Sequence, residues 1–519
     1  MVDKETATAI LHALEGGMVP EYGLPYVAVG RREEVEMITH DMERIAEGYS
    51  TFRLLEGAYG SGKSFMAQLI KNEAMLRGFV VMDCELASDR KLCGSKKEGL
   101  ETYRLLLSRL STKKNPHGHG LEDLLDQYAE KVLADRSFGE NVKRSICQMP
   151  HGYDFQEALD AYVRICEMED KYDNIPSKNQ TDTSREQTEL SQNKTIPSRE
   201  QTDRSQSQSG LLQDTKNQLL RWFRGEYPNK TTARRACGLS VIVEDDKWFA
   251  YLKIWAVFFR LLDYKGLYII LDELTQITRN ITNSITREHN FERLLSIYND
   301  CYGGEARGMG IILCGIPSSI HDPRRGIFSY EALKSRLEVS SLQGEDILGG
   351  PIIKLSMLTA EEFVVLLDSV EAMHKMLYVT AQQEEASNDT ITQQEEASND
   401  TITQQKEASY DTISQQKEAS NDACGQSEAA SYYFSEEERI TFVEYEYGRI
   451  GAANHLTPRE FLRDYLTILN QKAGSRSGDS MEDFLYRGSG LDTTPSMIGQ
   501  SEADDLDDLE AMKYEGFTL

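Results

Sequence analysis

The segment Gly57-Ala58-Tyr59-Gly60-Ser61-Gly62-Lys63-Ser64 constrains the fold of this chain more than any other. The apolar run 52–56 before it predicts a buried strand, and residues 65–76 after it predict a helix. Its three glycines permit a tight turn whose amides point inward at phosphate oxygens, and the helix start adds its positive dipole end. The spacing GxxxxGK(S/T) is typical of the phosphate-binding loop of nucleoside triphosphatases.

Two residues of this loop carry specific expectations. Lys63 is expected to place its charge between the β- and γ-phosphates of a nucleotide, and the Ser64 hydroxyl is expected to ligate Mg²⁺. The rest of the segment, from Gly57 to Gly62, is expected to bind phosphate through its backbone. The sequence therefore predicts ATP and Mg²⁺ as cofactors.

A second apolar run, 267–271, ends in the adjacent carboxylates Asp272 and Glu273. Asp272 is expected to hold Mg²⁺ through its water shell, and Glu273 to orient and deprotonate an attacking water. An acidic pair at a strand end is often only solvated, but together with the glycine loop it favours nucleotide hydrolysis. A kinase using the same loop is the weaker alternative, because no acceptor-binding signature accompanies it.

Strands and helices alternate along the chain and predict an α/β fold, a P-loop NTPase with a parallel sheet flanked by helices. The predicted strands are 52–56, 79–84, 267–271, 310–314 and 351–355, and the predicted helices include 65–76, 100–110, 121–133, 155–168, 248–262 and 291–298. The expected organisation is 1–98 and 266–357 for the ATPase core, 99–265 for a large helical insertion, 358–475 for a small helical lid, and 476–519 for an acidic tail.

Two low-complexity segments interrupt this pattern, one at about 174–210 and one at about 380–432. The second contains a repeat whose units begin Gln-Gln-(Glu/Lys)-Glu-Ala-Ser at Gln382, Gln393, Gln404 and Gln415. An eleven-residue period could support a right-handed coil. Each unit has too few apolar residues to offset chain entropy, so we expect both inserts to be disordered. The acidic stretch 501–510 is interpreted as a solvated tail or a partner-binding peptide.

Composition excludes some functions. The chain has 57 Lys and Arg against 85 Asp and Glu, a net charge of −28, so its bulk surface repels nucleic-acid phosphates. A local basic groove stays open, although no sequence cluster announces one. No run approaches the ~20 apolar residues of a membrane span, and the eight cysteines contain no CxxC pair. We therefore expect a cytoplasmic protein with reduced thiols and no membrane contact.

Weaker signals have structural interpretations. His117 and His119 predict a polar turn rather than a metal site, because no Cys or acid cluster lies near them at ligand spacing. The aromatic groups at 222–223 and 248–259 are spaced as buried helix faces rather than as a base-stacking platform.

Three further segments resemble AAA+ ATPases, in particular the origin-recognition-like branch. Val27-Ala28-Val29-Gly30-Arg31 is similar to the box that wraps adenine, which implies that Val29 and Gly30 flank the base. Ser335-Arg336 resembles the box of the arginine finger, which implies that Arg336 reaches a neighbouring subunit's γ-phosphate within a homo-oligomer; a surface arginine on an amphipathic helix is the alternative. Thr457-Pro458-Arg459 resembles the lid helix in which Arg459 would contact phosphate in cis.

One departure from that pattern concerns the first sensor. The strand 311–314 should be followed by a polar residue that positions the hydrolytic water, but Gly315-Ile316-Pro317 follows, with Ser318 and Ser319 as the nearest polar groups. Two functions therefore stay open. The protein is an ATP-hydrolysing motor or switch, or it is a slow or non-hydrolysing scaffold that recruits partners when ATP is bound.

In order along the chain, several segments resemble the ATP-binding proteins of bacteriophage-exclusion (BREX) and neighbouring defence operons. They are Gly16–Pro20, Val29–Arg31, the glycine loop, Gly266–Glu273, Gly315–Pro317, Asp322–Gly326 and Leu456–Phe461. The resemblance implies an ATPase that acts with operon-encoded partners, such as a helicase or a methyltransferase, in defence against foreign DNA. Whether such a protein contacts nucleic acid directly is not implied.

Overall fold

The computed structural model describes residues 2–173, 199–338, 350–378, 433–449, 457–475 and 479–488. The elements follow in the order α1 Lys4–Glu15, α2 Arg32–Glu47, β1 Ser50–Gly57, α3 Lys63–Leu76, β2 Val80–Glu85, α4 Glu98–Ser108, α5 Leu121–Ala134, α6 Arg136–Ile146, α7 Gly152–Asp173, α8 Arg199–Phe223, α9 Lys230–Cys237, α10 Trp248–Leu261, β3 Leu267–Asp272, α11 Ser284–Gly303, β4 Met309–Gly315, α12 Pro317–His321, α13 Glu331–Leu337, β5 Ile352–Leu355, α14 at 360–378, α15 Glu436–Gly448, α16 Pro458–Ser475 and α17 Met481–Gly488.

The chain divides into two compact units, and both are discontinuous in sequence. The first comprises Met1–Glu36, Gly57–Ile70 and Lys354–Leu519, and the second comprises Met37–Glu56 and Lys71–Ile353. Each unit has its own hydrophobic core. The glycine loop lies in the first unit, whereas the predicted acidic pair lies in the second.

A five-stranded sheet has the order β2-β3-β4-β1-β5. The pairs β2–β3, β3–β4 and β4–β1 are parallel, so the carboxyl ends of these strands share one edge of the sheet. β3 and β4 are apolar along most of their length, and β1, β3 and β4 are buried on both faces, as expected when helices cover both sides of a parallel sheet. The structure confirms the predicted α/β fold with a parallel sheet flanked by helices.

The helices α4–α10, which lie between β2 and β3 in sequence, build much of the second unit's core. Trp222, Trp248 and Trp255 are all at least 99% buried, and the rings of Phe155 and Trp255 meet edge to face 4.7 Å apart. The aromatic groups are therefore core residues, as predicted. Helix α8 begins at Arg199, so residues 199–210 are helical and the expectation of disorder is wrong there; residues 174–198 lie outside the described residues. Arg, Gln and Glu are good helix formers and continue a helix that buried residues anchor at its other end.

The first unit packs α1 against α14, α15, α16 and α17. Its core contains Ile10 of α1, Phe363 of α14, Phe442 of α15, Phe461 of α16 and Met481 of α17. Helix α17 falls within the segment assigned to the acidic tail, and Met481 is fully buried. The predicted repeat insert at 380–432 and the stretch 489–519 lie outside the described residues.

Two further expectations bear on the described residues. None of the helices in these ranges is long and apolar enough to cross a bilayer. Within the same ranges no group of three or more His, Cys, Asp or Glu could hold a metal ion, and His117 lies in a turn.

A buried ion pair joins α2 to β1 of the sheet. Arg53 Nε and Nη2 donate to the two carboxylate oxygens of Asp41 at 2.6 and 2.7 Å, and Arg53 Nη1 donates to the Gly350 carbonyl. Asp41 is fully buried and Arg53 is 8% exposed, so neither charge has water to replace its partner. This bidentate geometry is the strongest form of the guanidinium–carboxylate interaction.

Replacing Asp41 by alanine would leave the Arg53 charge buried without its carboxylate. We expect Asp41→Ala to lower the free energy of unfolding of the second unit by about 3–5 kcal/mol. Glu338→Ala, which removes an exposed partner of Lys334, is the control and should cost less than about 1 kcal/mol. Urea denaturation followed by tryptophan fluorescence measures both, because Trp222, Trp248 and Trp255 all lie in this unit. Equal costs for the two variants would contradict the account.

Candidate functional site

The glycine loop leaves β1 and turns sharply into α3. Gly60 and Gly62 both have φ of +85°, in the left-handed region that favours glycine. A Cβ at Gly57 would lie 2.1 Å from Ser61 Oγ, so this position has no room for a side chain either. The Ser61 hydroxyl is buried and has no hydrogen-bond partner among the described residues. The loop therefore has the tight, backbone-lined form that phosphate-binding loops need.

Lys63 is the first residue of α3 and bends back over the loop. Its Nζ donates to the carbonyls of Gly57 at 3.0 Å and Ala58 at 2.8 Å. Ser64 follows it in the first helical turn and is exposed, as are Ala58 and Tyr59. The amides of a first helical turn have no intrahelical acceptor, so an ammonium, a hydroxyl and backbone amides meet at this end. Such a donor set fits a polyphosphate and its metal ion.

The buried Arg31 side chain binds the backbone of the glycine loop. Its Nη2 donates to the Ser61 carbonyl at 2.9 Å and to the Ser356 carbonyl at 2.8 Å, and its Nη1 pairs with Glu34 at 3.4 Å. Arg31 is only 6% exposed. Burial raises the pKa of Glu34, while a backbone hydrogen bond and the Arg31 charge oppose that rise. In the sequence, Arg31 ends the segment 27–31 that resembles the adenine-wrapping box. No role is predicted for it, because no local sequence pattern indicates that its side chain contacts the glycine loop.

Val29 and Gly30, which the resemblance placed beside the base, precede Arg31. Val29 is buried in the first unit's core. Gly30 has φ of +66°, and a Cβ there would lie 1.9 Å from Oε1 of Glu362 in the first turn of α14. Glu362 is held in place because its Oε2 accepts a hydrogen bond from the Thr359 amide at 2.8 Å. The predicted base-flanking segment thus lies against the start of α14.

The start of α16 lies against the glycine loop. A Cβ at Gly60 would lie 2.9 Å from Cγ2 of Thr457, the residue before α16. The Thr457 hydroxyl accepts from the Glu460 amide at 3.3 Å and so caps the helix. Arg459 is exposed in the first turn, and its stem lies beside Gly17, where a Cβ would be 3.1 Å from Arg459 Cγ. The structure therefore brings the α16 start, which carries Arg459, close to the loop.

The acidic pair lies at the end of β3 in the second unit. Asp272 Oδ1 accepts a hydrogen bond from the Glu273 amide at 2.7 Å, and the Thr275 hydroxyl donates to the Glu273 carboxylate. Glu273 has φ of +65°, which is uncommon for a residue with a side chain and costs about 1–3 kcal/mol. Backbone strain of this kind is frequent at functional positions, so it supports a role for Glu273.

The structure explains why the neighbouring strand lacks a polar sensor. Gly315 ends β4, and a Cβ there would lie 2.9 Å from Cδ2 of Leu274, the residue after Glu273. Leu274 thus occupies the space that a sensor side chain would need. Of the two nearby serines, Ser318 accepts a hydrogen bond from Arg279 Nη1 at 2.9 Å. Ser319 is fully buried, and its hydroxyl has no partner within the described ranges.

Arg336, the predicted arginine finger, is exposed on α13 in the second unit. Its Nη1 donates to the Ala332 carbonyl at 2.7 Å and its Nε to Asn299 Oδ1 at 3.2 Å. Its guanidinium therefore folds along its own helix and onto α11. Either interpretation of Arg336 is compatible with these contacts.

The predicted site residues fall into two groups. The first unit contains the glycine loop Gly57–Ser64, Val29, Gly30 and Arg459. The second contains Asp272, Glu273 and Arg336. Arg31, Thr457 and Glu362 join the first group, and sequence reasoning did not assign them to the site.

Removing the Arg31 guanidinium should loosen the loop. We expect Arg31→Ala to weaken the binding of a fluorescent ATP analogue by about tenfold or more, because a hydrogen bond to a charged group contributes about 1.5–3 kcal/mol. Arg32→Ala is the matched control, since Arg32 is 68% exposed and pairs with the similarly exposed Glu36. A titration of both variants measures the effect. If Arg31→Ala binds as tightly as Arg32→Ala, the loop does not depend on this contact.

A protein-family model described as BREX system ATP-binding protein BrxC/D matches residues 2–175 and 204–414, which is most of the chain. The interval between the two matched ranges, 176–203, falls inside the first low-complexity segment. Neither a curated protein nor a solved structure matches the sequence.

Proposed function

The chain belongs to the BREX system ATP-binding protein BrxC/D family, and from this premise we propose that it is an Mg²⁺-dependent ATPase of a bacterial anti-phage defence system. The observation that carries the proposal is the glycine loop. Its glycines take left-handed conformations, and Lys63 bends over its carbonyls. The family name supports ATP as the nucleotide and the defence system as the setting.

Phosphate binding is assigned to residues of the first unit. The amides of Gly57–Ser64 and the Lys63 ammonium would hold the β- and γ-phosphates. Val29 and Gly30 would flank the adenine, by resemblance to AAA+ ATPases. Arg459, in the first turn of α16, would reach the γ-phosphate in cis, so that α14–α16 act as a lid that responds to the nucleotide.

Hydrolysis is assigned to the acidic pair. Glu273 would accept a proton from the attacking water, and its hydrogen bond from Thr275 fixes its carboxylate. The glycine-loop pattern assigns the Ser64 hydroxyl to Mg²⁺, and the acidic-pair pattern assigns Asp272 to the water shell of that ion; Mg²⁺ would offset phosphate charge when bound. Ser318 or Ser319 would have to replace the first sensor, because Leu274 fills the space next to Gly315.

A first sensor replaced by Ser318 or Ser319 would make ATP turnover slow. A second function therefore stays open. In it, the protein is an ATP-dependent scaffold whose bound state recruits a partner such as a helicase or methyltransferase, and hydrolysis only resets it. The closed space beside Gly315 favours the scaffold, whereas the strained Glu273 favours the ATPase. We give preference to the ATPase, because strain of this kind is frequent at functional positions and here it falls on the predicted base.

Two variants separate binding from hydrolysis. Glu273→Gln keeps the shape of the side chain but removes the base, so we expect ATP turnover to fall by about 10²- to 10⁴-fold with ATP binding retained. Lys63→Ala removes the ammonium and should weaken ATP binding itself. A phosphate-release assay and a binding titration measure the two effects. If the wild-type protein turns ATP over rapidly and Glu273→Gln does so equally fast, Glu273 is not the base. If wild-type turnover is already as slow as that of the variant, the scaffold is favoured.

The arginine finger needs a test in mixed assemblies. If Arg336 acts on a neighbouring subunit, Arg336→Ala should lose turnover by about 10³-fold or more and keep ATP binding. Mixing it with Lys63→Ala subunits should restore part of the activity, because each variant supplies what the other lacks. Lys334→Ala, on the same helix, is the control and should keep its activity. Full turnover by Arg336→Ala alone would make Arg336 a surface arginine.

A further inference from the structure

An adjacent pair of exposed arginines, Arg324 and Arg325, lies beside a third that is distant in sequence, Arg279, in the second unit. Arg325 Nη1 donates to the carbonyl of Arg279 at 3.3 Å, across 46 positions of the chain. Arg279 Nη1 in turn donates to Ser318 Oγ. Arg324 lies next to Arg325 on the same turn, and all three side chains are exposed. We call Arg279, Arg324 and Arg325 the arginine patch.

A single residue fixes the turn that presents two of these arginines. Asp322 Oδ1 accepts the backbone amides of Arg324 at 2.8 Å and Arg325 at 3.1 Å, and these bonds lower the pKa of Asp322. Gly326 follows these arginines, and glycine is needed there because a Cβ would lie 2.7 Å from the Ile320 carbonyl oxygen. The backbone is therefore preorganised, which reduces the entropy lost when the arginines bind a ligand.

The patch keeps its positive charge. The hydrogen-bond acceptors of Arg279 and Arg325 are a hydroxyl and a carbonyl, both neutral. Within the described part of the chain, none of the three guanidiniums forms an ion pair; Asp322 is the carboxylate that interacts electrostatically with Arg279 and Arg325. On a chain of net charge −28, this is a local reversal of sign that directs a polyanion to one place.

We propose that the arginine patch binds the phosphodiester backbone of double-stranded DNA, without reading its sequence. Arginine forks match phosphate geometry, and they specify no base when they contact phosphates alone. The linked side chains of Arg279 and Arg325, with Arg324 exposed on the same turn, call for a dense line of negative charge. DNA carries about one charge per 1.7 Å of helix axis, a denser charge than a folded acidic protein surface offers. The binding itself does not depend on ATP hydrolysis.

The patch also touches the segments assigned to hydrolysis. Arg279 lies six positions after Glu273, and its partner Ser318 follows the strand β4 that ends at Gly315. DNA that draws the Arg279 guanidinium outward would release the Ser318 hydroxyl. This second step rests on the proposed function, and it predicts that DNA changes the rate of ATP turnover.

DNA binding is tested by fluorescence anisotropy of the full chain with a labelled duplex of about 20 base pairs, at 50–200 mM KCl. The double variant Arg324→Ala/Arg325→Ala removes two charges while leaving Arg279 bonded to Ser318. We expect its affinity to fall by more than about tenfold. Its slope of log affinity against log salt should become shallower by about 1.8, because each phosphate that is no longer neutralised reduces the slope by about 0.9. Arg234→Ala/Arg235→Ala, a pair on α9, is the matched control and should retain affinity and slope.

Several results would overturn the proposal. They are wild-type protein that does not bind the duplex at 50 mM KCl, an unchanged Arg324→Ala/Arg325→Ala variant, and an equal loss in the α9 control. Polyglutamate of matched charge that displaces the duplex more strongly than unlabelled DNA does would assign the patch to an acidic protein instead. Thermal unfolding and ATP binding at wild-type levels show that the variant is folded. DNA binding without ATP hydrolysis would refute the proposed function and leave the patch standing.

Discussion

The guanidinium of Arg31 joins parts of the first unit that are distant in sequence. It bonds the glycine loop at Ser61, the segment after β5 at Ser356, and α2 at Glu34. A loop that offers its amides to phosphate cannot satisfy them internally, so other contacts must hold its shape. Arg31 supplies such a contact at the Ser61 carbonyl, and the Thr457 side chain packs against Gly60. The geometry proposed for ATP binding depends on both.

In the second unit, the backbone conformation of Glu273 and the lack of a polar residue at the end of β4 have one cause. Glu273 takes a left-handed backbone conformation, and the next residue, Leu274, packs against Gly315. A side chain larger than glycine at 315 would collide with Leu274, so the turn that holds the acid and the absence of a polar sensor belong together. In the proposed hydrolysis, other groups would have to position the water, and Ser318 and Ser319 are the serines nearest to Gly315 in sequence.

Local sequence patterns predicted much of this structure. The strands that end at Gly57, Asp272 and Gly315, and the helices that start at Lys63 and Pro458, lie close to their expected positions, because apolar periodicity and glycine–proline signals act within a few residues. The contacts of Arg31 with Ser61 and Ser356 could not be predicted, since 30 and 325 positions separate the partners. The arginine patch is hidden in sequence for the same reason. The polar composition of 199–210 predicted disorder, but these residues continue a helix whose other end is held by buried residues.

ATP is proposed to bind at the glycine loop, within the first unit. Backbone amide hydrogen exchange, followed by mass spectrometry with and without ATP and Mg²⁺, tests it most directly. We expect slower exchange in peptides covering 57–66, 27–31 and 457–465, and unchanged exchange in α9. Bound ATP that leaves 57–66 unprotected and slows exchange elsewhere would contradict it.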